Sequence, residues 1–315
     1  MRKEAIESST REILSRAGFY LNSGHKMRRS AIDIIARKDR TLLLVKVLEN
    51  IDGLDKKDAE TMKLLANLLS GTALVVGKHY CGGQMERGVV YSRFKIPIIS
   101  VETLYDYFIE GVPPYVFSAP GGLYVKIDAQ KLRNLRELAG YSLGALADEL
   151  GVSRKAVQLY EESMNATIEI ALSLEEIFNT ELIKPIDITK PETYEVNPEL
   201  AEDMLLTDEL KKKVFTHLKK LGCHVMHLRN CPFDAITRNR EYLFLTWVDR
   251  FERIERNLEV IDSIVKVTGK KSVIFVKYKK SKTSVRGIPL IDTDDLQHID
   301  EDDEMLRIIL ERDEE

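Results

Sequence analysis

Eighteen residues near the middle of the chain, Leu143 to Tyr160, carry a spacing that few backbones can accommodate. Ala147 is small enough for two helices to cross closely, and Gly151 can take the left-handed conformation that ends a helix. Val157 returns an apolar side chain to the shared core. Ser153 follows the turn as an N-cap, its hydroxyl placed to satisfy the free amides of the next helix. The pattern predicts a helix-turn-helix. Its second helix presents Arg154, Lys155 and Gln158 near its start, where recognition helices meet base edges in the major groove. The competing reading is a purely structural three-helix unit with charged residues facing solvent.

A chain of 315 residues is too long for one such unit and predicts two or three domains. The formal net charge of −4 excludes a polycation, so affinity for nucleic acid has to come from local patches. Three cysteines give no disulfide framework, which points to a reducing cytoplasm. No apolar run approaches the roughly 18 residues of a membrane span, and the first residues lack a signal-peptide core, so a soluble protein is expected.

Before the motif, a helix is expected over about Glu4 to Ala17, then β-runs at Phe19–Leu21, Ala31–Ala36 and Thr41–Leu48. A helix from Asp55 to Leu69 should stop at Gly71, followed by strands Ala73–Val76 and Ile96–Ser100 and a short helix at Glu102–Phe108. This alternation predicts a mixed α/β sheet covered by helices. Pro113, Pro114, Pro120, Gly121 and Gly122 read as a boundary. Residues 128–178 are helical in pattern, with Leu132, Leu135 and Leu138 on one face of the first helix. Thr167 caps a helix carrying Ile168, Leu172 and Phe178. The polar stretch Lys184 to Glu202 reads as a linker.

The last third repeats the first. Ala17-Gly18-Phe19 parallels Leu221-Gly222-Cys223, and Ala31-Ile32-Asp33 parallels Pro232-Phe233-Asp234. Ala73–Val76 parallels Ser272–Phe275, and the run beginning Ile96-Pro97 parallels the run beginning Ile288-Pro289. The shared order predicts a duplicated α/β domain flanking the helix-turn-helix.

Asp33 and Lys46 stand as in nucleases of the PD-(D/E)xK type. Those enzymes hold Mg²⁺ on an acidic residue of one strand and a carboxylate two positions before a lysine on the next. Here the second carboxylate position is Leu44, and Glu49 is the nearest substitute further along. In the second copy Asp234 persists while Trp247 takes the lysine position. Neither copy has a complete catalytic set, and Asp33 and Lys46 are expected to be a hydrogen-bonded strand residue and a snorkelling one. Cys223, His224, His227 and Cys231 lack paired zinc-ligand spacing, and His79-Tyr80-Cys81-Gly82-Gly83 lacks a phosphate-loop pattern. Gly24–Arg29 is a basic loop. The stretch Asp300–Glu315 holds nine acidic residues and reads as a solubilising tail or the outer face of a helix.

For DNA contact the expected residues are Arg154 and Lys155 on base edges, with Gln158 one turn on. Ser142 and Ser153 set helix amides toward phosphate, and Lys131, Arg133 and Arg136 offer backbone contacts from the preceding helix.

Residues 128–178 resemble the Cro/lambda-repressor family, on Leu150-Gly-Val-Ser-Arg-Lys-Ala-Val157 and Tyr160-Glu161. The whole chain is similar to archaeal transcriptional regulators of helix-turn-helix type, on its architecture and on Asp33-Ile-Ile-Ala…Leu-Leu-Leu-Val-Lys46. The departure is Leu143, where such repressors commonly carry a DNA-contacting glutamine. The resemblance implies an all-α lambda-repressor-like domain (126–183) between two α/β restriction-endonuclease-like domains (1–120 and 200–315). It also implies a homodimer on double-stranded DNA, while the incomplete catalytic sets and unpaired ligand spacing lead to an expectation of no cofactor, no metal and no catalysis. Two rival readings are a Mg-dependent nuclease targeted by the motif and a protein-interaction scaffold.

Overall fold

A computed structural model describes residues 2–23, 30–190, 193–195, 208–228, 230–239, 242–277 and 282–313. The basic stretch Gly24–Arg29 and most of the expected linker after Lys190 lie outside the described residues. The chain falls into two compact units, and their division runs inside the first α/β region.

The first unit takes in residues 1–17, 47–54 and 74–190. Helix Lys3–Arg16 buries Ile6, Ile13 and Leu14 and packs on the helix Val101–Tyr105, whose N-cap is Ser100. Strand Thr72–Gly77 runs parallel to Ile96–Ser100, which folds back on Val89–Arg93 through a two-residue turn. Val89 and Val90 then pair with Val116 and Phe117. The Pro/Gly-rich segment expected to be a boundary is instead a hairpin, Val116–Ala119 with Gly122–Ile127. Proline and glycine punctuate tight turns and linkers alike, so composition alone does not separate the two. The second hairpin strand also pairs with Ala166–Thr167 and Ile183–Lys184, which carries the sheet into the helical region. The amide of Ile186 donates to Pro114 O (2.8 Å), so the chain beyond Lys184 is tied back to the sheet.

Four helices complete this unit: Ala129–Leu138, Leu143–Leu150, Arg154–Glu161 and Ile168–Phe178. They enclose Leu132, Leu146, Ala147, Val157, Ala171 and Leu174, with Val125 and Leu182 closing the core from the strands. Two expected core leucines point outward: Leu138 is 84% and Leu172 54% exposed. Leu138 lies six residues past Leu132, about 120° around the helix at 3.6 residues per turn, while position 136 stays close to the apolar face.

The second unit takes in residues 18–46, 55–73 and the described residues from 193 onward. Tyr20–Leu21, Ile34–Lys38 and Thr41–Val47 form an antiparallel trio. Helix Lys56–Leu69 follows, capped by Asp55 and ended by Ser70 in the left-handed region, one residue before the expected Gly71. The C-terminal sheet orders His224–His227, Ala235–Arg238, Leu243–Arg250, Lys271–Lys277, Ile288–Asp292 and Ser284–Val285. Helix Glu209–Lys220 precedes this sheet, and helix Phe251–Thr268 makes the crossover between its parallel strands. Such a crossover buries both sheet faces, which is why Phe244–Val248 and Ser272–Val276 are apolar almost throughout. The acidic stretch is a helix, Asp302–Asp313, with Met305 and Ile309 buried.

The two α/β regions share a backbone plan as well as an order of elements. Gly18 and Gly222 each follow a helix at φ 87° and 88°. The amides of Asp33 and Asp234 donate to Val45 O and Thr246 O, both at 2.9 Å. The final hairpins turn through Phe94-Lys95 (φ 54° and 66°) and Arg286-Gly287 (φ 52° and 75°), with Arg93 opposite Ile96 and Val285 opposite Ile288. Both central residues of a tight hairpin turn take positive φ when the turn twists with its strands. The two regions therefore share hydrogen-bond register and turn type as well as the order of their elements.

Candidate nucleic-acid interface and a nuclease-like cluster

The helix-turn-helix is built as its spacing requires. Ser142 Oγ accepts from Ala145 N (3.0 Å) and Ser153 Oγ from Ala156 N (3.1 Å), so each hydroxyl caps its helix. Gly151 ends the first helix at φ 64°. Arg154 and Lys155 occupy the first two positions of the recognition helix, both exposed, and neither makes an ion pair among the described residues. Gln158 is exposed and donates to Glu162 Oε1 (2.8 Å), so that bond must open before it meets a base.

The preceding helix departs from expectation. Lys131 Nζ donates to Glu181 O (2.8 Å) and Arg133 pairs with Glu137 (3.2 Å). Arg136 is buried, holding Glu161 through Nε and Nη2 and the Tyr141 carbonyl through Nη1 (2.9 Å). That hydrogen-bonded carboxylate raises the guanidinium pKa further, despite burial. Arg136 is therefore a strut between the first and third helices, and a phosphate does not reach it.

In the first α/β region the structure brings Asp33 and Lys46 together and adds a residue that sequence reading missed. Lys46 is buried, and its ammonium lies 3.9 Å from Asp33 Oδ2 and 3.6 Å from Asp58 Oδ2 while donating to Ser30 O. It does not snorkel. Asp58 lies in the first turn of helix Lys56–Leu69, where an acidic residue looks like ordinary dipole complementation. Asn230 closes the cluster: its side-chain amide donates to Asp58 Oδ1 (3.1 Å), and its carbonyl accepts from Ser30 Oγ (3.2 Å) and from Ala31 N. Leu44 is fully buried where a nuclease carries its second carboxylate. Glu49 is exposed beyond the end of the strand, its carbonyl accepting from His79 N (3.0 Å).

The second copy reaches the same outcome with other residues. Trp247 holds the lysine position and donates Nε1–H to Pro232 O (2.9 Å). Asp234 pairs with Lys211, from the preceding helix, and accepts from Val248 N (2.8 Å). Burial pushes its carboxyl pKa up against both partners. The nearby cysteines and histidines do not converge, and no group of three potential metal ligands occurs among the described residues. Cys223 is buried, donating to Asp302 Oδ1 (3.3 Å), with its thiol pushed up to about 12 by burial. His227 stacks edge-on against Phe215 (4.3 Å between centroids), and burial lowers its pKa to about 4.

A nuclease-like region followed by a helix-turn-helix defines a class, and the comparisons agree with it. The model of the PD-(D/E)XK superfamily domain matches residues 3–114, and that of the helix-turn-helix domain matches residues 132–184. A protein of Methanosarcina acetivorans is 38% identical over 99% of this chain and 98% of its own length. Proteins of Pyrococcus horikoshii and Archaeoglobus fulgidus are 36% and 33% identical, each over 98% of both chains. All three bear the name "Putative HTH-type transcriptional regulatory protein". The chain belongs to this archaeal family. No solved structure matches it. No helix among the described residues is long and apolar enough to cross a membrane.

Proposed function

We propose that the chain is a sequence-specific, non-catalytic DNA-binding regulator that reads duplex through the start of helix Arg154–Glu161. One observation carries this reading. Arg154 and Lys155 place two cations in the first turn of a helix, where the macrodipole disfavours positive charge by about 0.3–1 kcal/mol each. The fold gains nothing from them there, whereas a phosphate or a guanine edge does. Ser142 and Ser153 set the amides that face the backbone, and Gln158 and Lys131 contribute after exchanging their internal bonds. The domains are 1–120, 126–183 and 200–315. The protein acts in the cytoplasm as a homodimer, since one eight-residue recognition helix covers too little DNA for high specificity. Leu44, fully buried where a nuclease carries its second carboxylate, supports the absence of catalysis.

Selection from a random duplex pool, followed by titration at several salt concentrations, tests the reading. Affinity should fall steeply with salt. Replacing both Arg154 and Lys155 by Ala should weaken binding and reduce the salt slope by about 1 for each lost phosphate contact. Unchanged affinity and slope in the double variant would sink it.

A further inference from the structure

We propose that a crevice at the carboxyl end of the C-terminal parallel sheet binds a small phosphorylated, hydroxyl-bearing ligand of the sugar-phosphate class. The cavity encloses about 510 Å³, within the size range of small-molecule sites. Arg250 and Lys277 line it and are register partners at the last pair of two parallel strands, Leu243–Arg250 and Lys271–Lys277. Like charges side by side on a sheet repel. Neither makes an ion pair among the described residues, and Lys213 adds a third such cation from helix Glu209–Lys220. An anion between them turns that repulsion into attraction.

A second observation is independent of the charges. Thr293 follows the third parallel strand, Ile288–Asp292, and lines the same cavity. Its hydroxyl can both donate to and accept from a ligand oxygen.

The rest of the lining narrows the class. Glu209 and Asp294 present carboxylates suited to accepting from hydroxyls. Counting Arg253 and its partner Asp249 (3.5 Å) together with Asp208, the lining among the described residues holds as many acids as bases, which does not favour a polyanion such as duplex DNA. Among the described residues no aromatic ring lines it, so a nucleobase finds none of them to stack on.

Isothermal titration of the full chain with ribose 5-phosphate tests the proposal, with inorganic phosphate, adenosine monophosphate and a short duplex as separate arms. The expected result is saturable binding of ribose 5-phosphate, tighter than inorganic phosphate and weakened roughly tenfold by Lys277→Ala. Thr293→Val should weaken it too, and both variants should unfold at the wild-type temperature. Four results would each overturn the assignment: no saturable binding, equal binding of inorganic phosphate, tighter binding of adenosine monophosphate, or displacement of ribose 5-phosphate by the duplex. DNA recognition by Arg154 and Lys155 stands or falls separately.

Discussion

Replacing Lys46 by Met removes a charge while keeping the length and most of the shape of the side chain. Two carboxylates then remain in a buried cluster, with Asp33 and Asp58 side chains only 9% and 17% exposed. At separations of 3.9 and 3.6 Å and an effective dielectric near 20, the ammonium interacts with each by about 4 kcal/mol. The desolvation of Lys46 itself, which Met avoids, offsets much of that sum. Breaking buried pairs typically costs about 3–5 kcal/mol, because the partner charge stays buried. The expected loss in urea unfolding at neutral pH is of that size. Adding Asp58→Asn to Lys46→Met should restore much of the loss at neutral pH. A loss under about 1 kcal/mol would refute the view that Lys46 holds the cluster together. Titrating the variant with magnesium decides a second question. Stabilisation by the metal would show that Asp33 and Asp58 can still hold a divalent ion, and would revive the nuclease reading.

Glu161→Ala strands the Arg136 guanidinium, a buried charge bonded through two of its nitrogens to the lost carboxylate. It should destabilise the helical region by about 3–5 kcal/mol and lower DNA affinity with it, measured by thermal unfolding and duplex titration. His227 has a folded-state pKa of about 4, below the ordinary 6.5. Its contribution is therefore complete above about pH 6.5 and is lost as pH falls toward 4, at up to about 1.4 kcal/mol per pH unit for one proton. His227→Gln should flatten urea midpoints across that window, and an unchanged slope would refute the assignment.

What the sequence disclosed and what it hid follow from the range of the interactions. Caps at Ser142, Ser153 and Thr167 are local, depending on residues three positions apart, and all three form. The tryptophan at the lysine position, Trp247, was also legible, because the shared order of elements transfers a register from Asp33 and Val45 to Asp234 and Thr246. Asp58 was not legible. It meets Lys46 only because a helix start folds over a strand, and its own surroundings in sequence show nothing beyond an N-terminal acid. Asn230 lies about two hundred positions from Ser30, beyond the reach of any periodicity. Arg136 was misread for a geometric reason. Charge suggested a solvent face, while the four-residue step from Leu132 puts it on the buried one.

The hairpin at 116–127 changes how the recognition helix is held. A flexible linker would let the helical region reorient freely about the nuclease-like region. Here Val89 and Val90 pair with Val116 and Phe117, the partner strand pairs with Ala166–Thr167 and Ile183–Lys184, and Val125 and Ile127 of that strand enter the helical core. The direction of helix Arg154–Glu161 is therefore set by ladder hydrogen bonds and by the core it shares with the sheet.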